Sequence, residues 1–547
     1  MPTNSHGDIA IWQIIDKAVN HDWSVPEFQR GFIWKAPQVR DLIESLWLSY
    51  PVGSVLIWQS PNGTQERTAV DGRPHNFWVV DGQQRTTALC ILFGGKPYWW
   101  ESSENWKETL AKYDIRFDVD TDTAPHFTVA NAVIKKDKKR RYIPISELLN
   151  VDPDSKQGQE VIKTLAREIK ANGLCDGQDQ MDVYARLSSV SEIRKQKIVT
   201  ITVDHDLEDV VEIFSRMNSK GTRVTEADIY LGIVAAKNPT WVRDNFLPYL
   251  RLLAEAGFDI DPNLLFRTLT GIGTKKVRFK EINDDFWSSP NITNAWTATK
   301  EAWGKAIKRF REYGILSSSL MPTENALVVL MALIDKFPDT PFEPMLYWFL
   351  QASRFRRYSG SSATTLEEDL RHISNATTVQ VALAGLLSEF DHEKQLDTNF
   401  FYESYRSSRF GRFLLYLLVY HNKAADWNEA GDRIGFDKNE VLASFSPQWH
   451  HVFPVKLLER EGFQEEDIDT IANIAAIGQT INIRIRDKDP MDYIERYKIT
   501  PTKLEQQFIS NDIRTTSASN YKTWLEKRAV ELTAAGNAYL AELRGNL

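Results

Sequence analysis

From about residue 235 to residue 425 the hydropathy pattern of this chain is almost wholly helical, with no clear strand, while strand-like runs fall on both sides. The pattern predicts an α+β chain with mixed ends and a helical middle. At roughly 150 residues per domain, the 547 residues divide into expected regions 1–235, 236–398 and 399–547.

In the first region Val55–Trp58 and Phe77–Val80 are short apolar runs bounded by turn residues, and they read as buried strands. Ile115–Val119 alternates apolar and charged residues, and Ile198–Val203 is rich in β-branched residues. Val39–Tyr50 places apolar residues at 39, 42, 43, 46 and 47, one face of a helix that Pro51 stops. Leu207–Asn218 reads as a second amphipathic helix, closed by Gly221, and Thr225-Glu-Ala-Asp228 opens the next with capping-box spacing. Asp259–Asn263 and Pro338–Pro344 read as interhelical loops, and Ser519–Arg544 as a closing amphipathic helix.

Apolar residues make up 42% and charged residues 26%, an ordinary globular balance. The two cysteines, Cys90 and Cys175, exclude a disulfide scaffold and Cys-based zinc motifs, which fits a reducing cytoplasm. MPTNSHGDIAIWQ has no secretory pattern, and no apolar run approaches the roughly 18 residues of a membrane span. A cytoplasmic protein with no membrane partner is expected. The net charge of −8 argues against a cationic coat but leaves room for a local basic stripe. Lys135, Lys136, Lys138, Lys139, Arg140 and Arg141, interrupted only by Asp137, form one. It is either a solvated loop or a DNA contact. Arg354, Arg356, Arg357 and Tyr358 form a second cluster, either a phosphate contact or an ordinary helix end. Trp12, Trp23, Trp34, Trp47, Trp58, Trp78, Trp99, Trp100 and Trp106 all precede residue 110, as core or as stacking faces for a base.

There is no GxxxxGK[ST] loop and no HExxH, so phosphate chemistry needs another apparatus. Asp81-Gly-Gln-Gln-Arg-Thr-Thr-Ala-Leu89 follows directly on the strand ending at Val80, and Thr86–Phe93 reads as a helix. A strand turning through Gly82 into a helix presents free N–H groups that attract phosphate. Arg85 can add a forked grip, Asp81 can hold a cation or a ribose hydroxyl, and Gln83 and Gln84 can orient water or a base. The alternative is a polar turn with an Asp cap. Near the start, Pro26-Glu-Phe-Gln-Arg-Gly-Phe-Ile-Trp34 sets Gln29 and Arg30 among aromatics.

The chain's one adjacent histidine pair stands in Trp449-His-His-Val-Phe-Pro454, followed by Asn473 in Ile471-Ala-Asn-Ile-Ala475 and Asn482 in Thr480-Ile-Asn-Ile-Arg484. Neighbours on a strand face opposite ways, so one ring can ligate a metal while the other activates water. An amide oxygen suits Mg²⁺ or Mn²⁺. The alternative is a pair of ordinary histidines.

Taken together, FQRGFxW, VVDGQQRTTAL and EIFSRMNSKGTRVTEAD, in that order over roughly residues 8 to 235, resemble the N-terminal domain of the GmrSD family. These are bacterial modification-dependent restriction enzymes, a group that includes phosphorothioate-sensing nucleases. The resemblance implies a ParB/sulfiredoxin-like fold that hydrolyses a nucleoside triphosphate. Asp81, Gly82, Gln83, Gln84, Arg85 and Thr86 would line the nucleotide site, with Gln29 and Arg30 nearby and Asn218 and Gly221 as a further wall. HHVFP, IANIAAIG and TINIRIRDKDPMDY resemble the HNH (ββα-metal) nuclease domain at the C-terminus of the same group, over about 400 to 547. By that resemblance His451 is the general base, His450 and Asn482 hold the metal, and Asn473 orients the base-bearing loop. Many relatives carry Asp or Glu where His450 stands, so a neutral ligand here weakens the hold on Mg²⁺ and leans toward softer metals such as Mn²⁺ or Ni²⁺. The function implied is an anti-phage DNA restriction factor that senses modified DNA, hydrolyses nucleotide and nicks or cuts DNA. The alternative is a nucleotide-regulated sensor with a weak or inactive nuclease domain. The partners implied are DNA and a nucleoside triphosphate, with homo-oligomerisation left open.

Overall fold

The computed structural model describes residues 4–26, 31–59, 77–100, 105–205, 209–210, 213, 226–238, 240–359, 362–437, 440–442 and 445–545. Gln29, Arg30, Asn218, Gly221 and most of the expected helix Leu207–Asn218 lie outside them. The chain forms two compact units, Met1–Phe246 and Leu247–Leu547.

The first unit is built on a four-stranded mixed sheet of β1 (Asn4–Ala10), β2 (Val55–Gln59), β3 (Phe77–Asp81) and a last strand, Lys197–Val203, in the order β1, last strand, β2, β3. β1 runs antiparallel to the last strand with Ile9 opposite Ile198. β2 runs parallel to that strand and antiparallel to β3, with Trp58 opposite Trp78. Helix α1 (Ile11–Val19) buries Ile11, Ile14, Ile15 and Ala18, and α2 (Ala36–Trp47) buries Val39, Leu42, Ile43 and Leu46. Both stripes have the spacing of one helical face and join a single hydrophobic core with α3 (Gln83–Phe93). α2 ends at Leu48, before Pro51, through Ser49 at a φ of 59°. Ile115–Asp118 pairs antiparallel with Phe127–Val129 and with Tyr142–Pro144 in a second sheet. Trp23, Trp58, Trp78, Trp99 and Trp100 are buried, whereas Trp12 is 44% exposed, so core packing accounts for most of the early tryptophans.

The second unit is centred on Asn325–Lys336, where every residue from Ala326 to Ile334 is buried. A helix apolar all round has to be enclosed. Pro262–Thr274, Asn291–Glu312, Glu343–Arg354 and Ser362–Asn375 pack against it. In the cluster at 354–358, Arg356 is exposed and Arg354 half-buried, whereas Arg357 and Tyr358 turn toward the interior. Arg357, 8% exposed, pairs with Asp369 and Glu389, Tyr358 donates to Asp369 at 2.6 Å, and Arg354 donates to the carbonyls of Lys394 and Gln395. Among the described residues between 247 and 425 no strand forms.

Beyond residue 425 a two-stranded antiparallel ribbon, Gln448–His451 with Ile474–Ile477, is followed by a short helix, Gln479–Ile485. The closing helix Tyr521–Arg544 packs on Glu343–Arg354, on Arg409–His421 and on residues 471–473. The helical region and the ribbon therefore lie in one unit.

Candidate active sites

β3 runs into α3 through Gly82, whose φ of 90° is the left-handed conformation that glycine adopts without strain. The helix starts at Gln83, three residues earlier than the sequence suggests, so Gln83, Gln84 and Arg85 form its first turn. The Gln84 amide is engaged at both ends. Its Oε1 accepts the Ile33 N–H at 2.9 Å and its Nε2 donates to the Gly31 carbonyl at 2.9 Å. Those bonds tie the DGQQR turn to the stretch just after Gln29 and Arg30. Arg85 donates from Nη1 to the Val52 carbonyl, and its Nη2 lies 3.4 Å from Asp81. Burial lowers the Arg85 pKa, and the Asp81 charge partly offsets that. Gln83 and Thr86 are buried, and Thr86 Oγ1 makes no hydrogen bond among the described residues.

The ribbon of the second unit holds the histidines. His450 stands opposite Ala475 and His451 opposite Ile474, and strand alternation sends their rings to different surroundings. His450 is 4% exposed, edge-on to Trp427 and Tyr493, with Nδ1 3.0 Å from Asn482 Oδ1 and Nε2 buried without a partner. Burial pushes its pKa down to about 4, against the Asn482 bond that raises it. His451 Nε2 lies 3.0 Å from Asp469 Oδ1. Burial lowers the His451 pKa as well, while Asp469 raises it.

Asn473 is wholly buried. It accepts the Phe453 N–H at 3.0 Å and donates to the carbonyls of Phe453 and Ile468. This fixes the chain two residues beyond His451. Arg528, 2% exposed on the closing helix, donates to the carbonyls of Ala472 and Ile474 on either side of Asn473. Asp426 accepts the Gly478 N–H at 2.9 Å, at the start of the helix that carries Asn482. Asp469 and Asp426 escape sequence reading because no fixed spacing links them to the histidines, and Arg528 falls in the closing helix that the sequence resemblance includes without a role for it. The one local signal is a carboxylate four residues before Asn473.

Residues 11–235 match the family model of the GmrSD restriction endonuclease N-terminal domain. The chain is also 22% identical over 531 residues to an uncharacterized protein of Methanocaldococcus jannaschii, covering 90% of this chain and 87% of that one. The basic stripe lies within the GmrSD-type region, and part of it is neutralised there. Arg141 pairs with Asp118 at 2.9 Å and Arg140 with Glu147 at 2.7 Å, while Lys135 lies 3.9 Å from Asp114. Among the described residues Lys136, Lys138 and Lys139 are exposed and pair with no carboxylate. Asp137 turns inward and accepts the backbone N–H groups of Lys139, Arg141 and Tyr142.

No helix among the described residues is long and apolar enough to cross a membrane.

Proposed function

We propose that this chain is a DNA restriction factor of the GmrSD type, which senses modified DNA, hydrolyses a nucleoside triphosphate in its first unit and cuts DNA at the His451 site of its second. The observation that carries the reading is the match of residues 11–235 to the N-terminal domain of the GmrSD restriction endonuclease. The His450–Asn482 and His451–Asp469 pairs on one ribbon support the nuclease part.

In the first unit the N-terminus of α3 offers backbone N–H groups and a positive dipole end to phosphate. Arg85 stands in that first turn, held by the Val52 carbonyl and Asp81, and adds a fixed positive charge. Lys136, Lys138 and Lys139 supply sequence-independent contacts to the DNA backbone.

In the second unit the donor set fits a divalent cation. His450 Nδ1 and Asn482 Oδ1 stand 3.0 Å apart, and both atoms are of a kind that ligates Mg²⁺ or Mn²⁺. His450 and Asn482 would hold the ion, and a bound cation supplies charge to stabilise the scissile phosphate and the leaving oxygen. His451 takes the proton of the attacking water, and Asn473 keeps the turn beyond His451 rigid.

His451→Ala is expected to abolish DNA cleavage and phage protection, a loss of about 10²- to 10⁴-fold, while nucleotide hydrolysis continues. Full cutting by the variant, or cleavage that survives EDTA, overturns the assignment. One observation favours a second reading, a sensor with a weak nuclease. Among the described residues no three His, Cys, Asp or Glu side chains gather as around a metal, and the His450–Asn482 pair is neutral. Cleavage that stays marginal at saturating Mn²⁺ selects that reading.

A further inference from the structure

Segment 403–406 runs beside segment 469–471. The Tyr405 N–H donates to the Asp469 carbonyl at 2.9 Å, the Ile471 N–H donates to Glu403 at 3.0 Å, and Ser404 bridges Thr470. This pairing sets the Asp469 carboxylate against His451 and Arg406 against the same carboxylate. Oδ1 lies 3.0 Å from His451 Nε2 and Oδ2 lies 3.0 Å from Arg406 Nε. The Asp469 side chain is 7% exposed and that of His451 14%. Tyr405 stands edge-on to the imidazole, 5.1 Å between ring centroids, and closes one side.

An ionised carboxylate only accepts hydrogen bonds, and a neutral imidazole carries one hydrogen. With Nε2 facing Asp469, that hydrogen sits on Nε2 and the lone pair on Nδ1. Arg406 Nε lies 3.0 Å from the other carboxylate oxygen, Oδ2, so both oxygens of Asp469 are engaged.

We infer that Asp469 is the positioning residue of this site, fixing His451 in the Nε2–H tautomer so that Nδ1 receives the proton of the attacking water, with Arg406 holding Asp469 from behind. The inference rests on the reading of His451 as general base. In the step, one water proton passes to Nδ1 and the water oxygen forms the new P–O bond. The bond to the leaving oxygen breaks with its electron pair on that oxygen, and the imidazolium later returns its proton to solvent. Asp469 stabilises the imidazolium through Nε2–H and is not itself protonated, as in other carboxylate–histidine pairs.

The test uses full-length protein with Mn²⁺, comparing wild type, His451→Ala, Asp469→Asn and Asp469→Glu. Asp469→Asn is expected to lower kcat by about 10²-fold or more while KM for DNA and the Mn²⁺ requirement stay within about twofold. An amide can donate to Nε2, so the variant's ring is free to take the other tautomer. Asp469→Glu keeps the charge and is expected to recover part of the lost kcat. Long-range ¹H–¹⁵N NMR of metal-free protein with ¹⁵N-labelled histidine, assigned against the His451→Ala spectrum, is expected to show Nε2–H in the wild type. An Nδ1–H wild-type ring overturns the inference even if both Asp469 variants fail to fold. So does a folded Asp469→Asn protein with unchanged kcat while His451→Ala is inactive. If His451→Ala cleaves normally, the reading of His451 as base falls first and the inference falls with it.

Discussion

Gly53 has a φ of 85°, and a Cβ there would lie 2.2 Å from Nη1 of Arg85. The guanidinium reaches the Val52 carbonyl across a space that only glycine leaves open. Gly53→Ala is therefore expected to displace Arg85 and to carry the backbone cost of a left-handed alanine, about 1–2 kcal/mol. If Arg85 grips nucleotide, Gly53→Ala and Arg85→Ala should both remove nucleotide turnover from protein that still melts cooperatively. Normal turnover by folded Gly53→Ala would separate Arg85 placement from activity. Asn473 makes the same point about local constraint. Its three side-chain bonds go to Phe453 and Ile468, so it holds the segment beyond His451 against the one that precedes Asn473.

At the scale of the element, the ribbon Gln448–His451 buries a titratable ring. The folded pKa of His450 is depressed from 6.5 to about 4 by burial. Between those values the unfolded chain binds the proton and the folded chain does not, so stability rises with pH across that window. The contribution is complete above about pH 6.5 and is lost as the pH falls toward 4. At about 1.4 kcal/mol per pH unit, it amounts to roughly 3 kcal/mol. In EDTA the second unit should lose stability steeply below about pH 6.5, and His450→Asn should flatten that slope by about one proton. Denaturant unfolding at a series of pH values measures it, and equal slopes would show that His450 is not the group responsible. Strand alternation made a division of roles between the two rings legible in the sequence. Which ring went inside was decided by Trp427 and Tyr493, neither of which is near His450 in sequence.

For the whole molecule, the net charge of −8 means that DNA contact has to be local. Arg140, Arg141 and Lys135 face carboxylates, which leaves Lys136, Lys138 and Lys139 as the free part of the stripe. Replacing those three with alanine is expected to flatten the salt dependence of DNA binding by roughly 0.9 log unit per lost phosphate contact. Replacing Arg140 and Arg141 should change the slope less. Unchanged slope and affinity in the triple variant would make the stripe a solvated loop.

Periodicity and turn chemistry are local, and they determined much. Strands at 55, 77, 115 and 198, the helical middle, the turn through Gly82 and the closing helix all follow from spacing within a few residues. The DGQQR and His-His motifs could be read because their residues are contiguous. Contacts between distant segments were decided only by the tertiary structure. Gln84 meets Gly31 and Ile33, Arg357 goes to Asp369, Asp469 meets His451, and Arg528 reaches the strand beside Asn473 from the far end of the chain. A buried charge needs its partner wherever folding brings one, and that requirement leaves no fixed interval in the sequence.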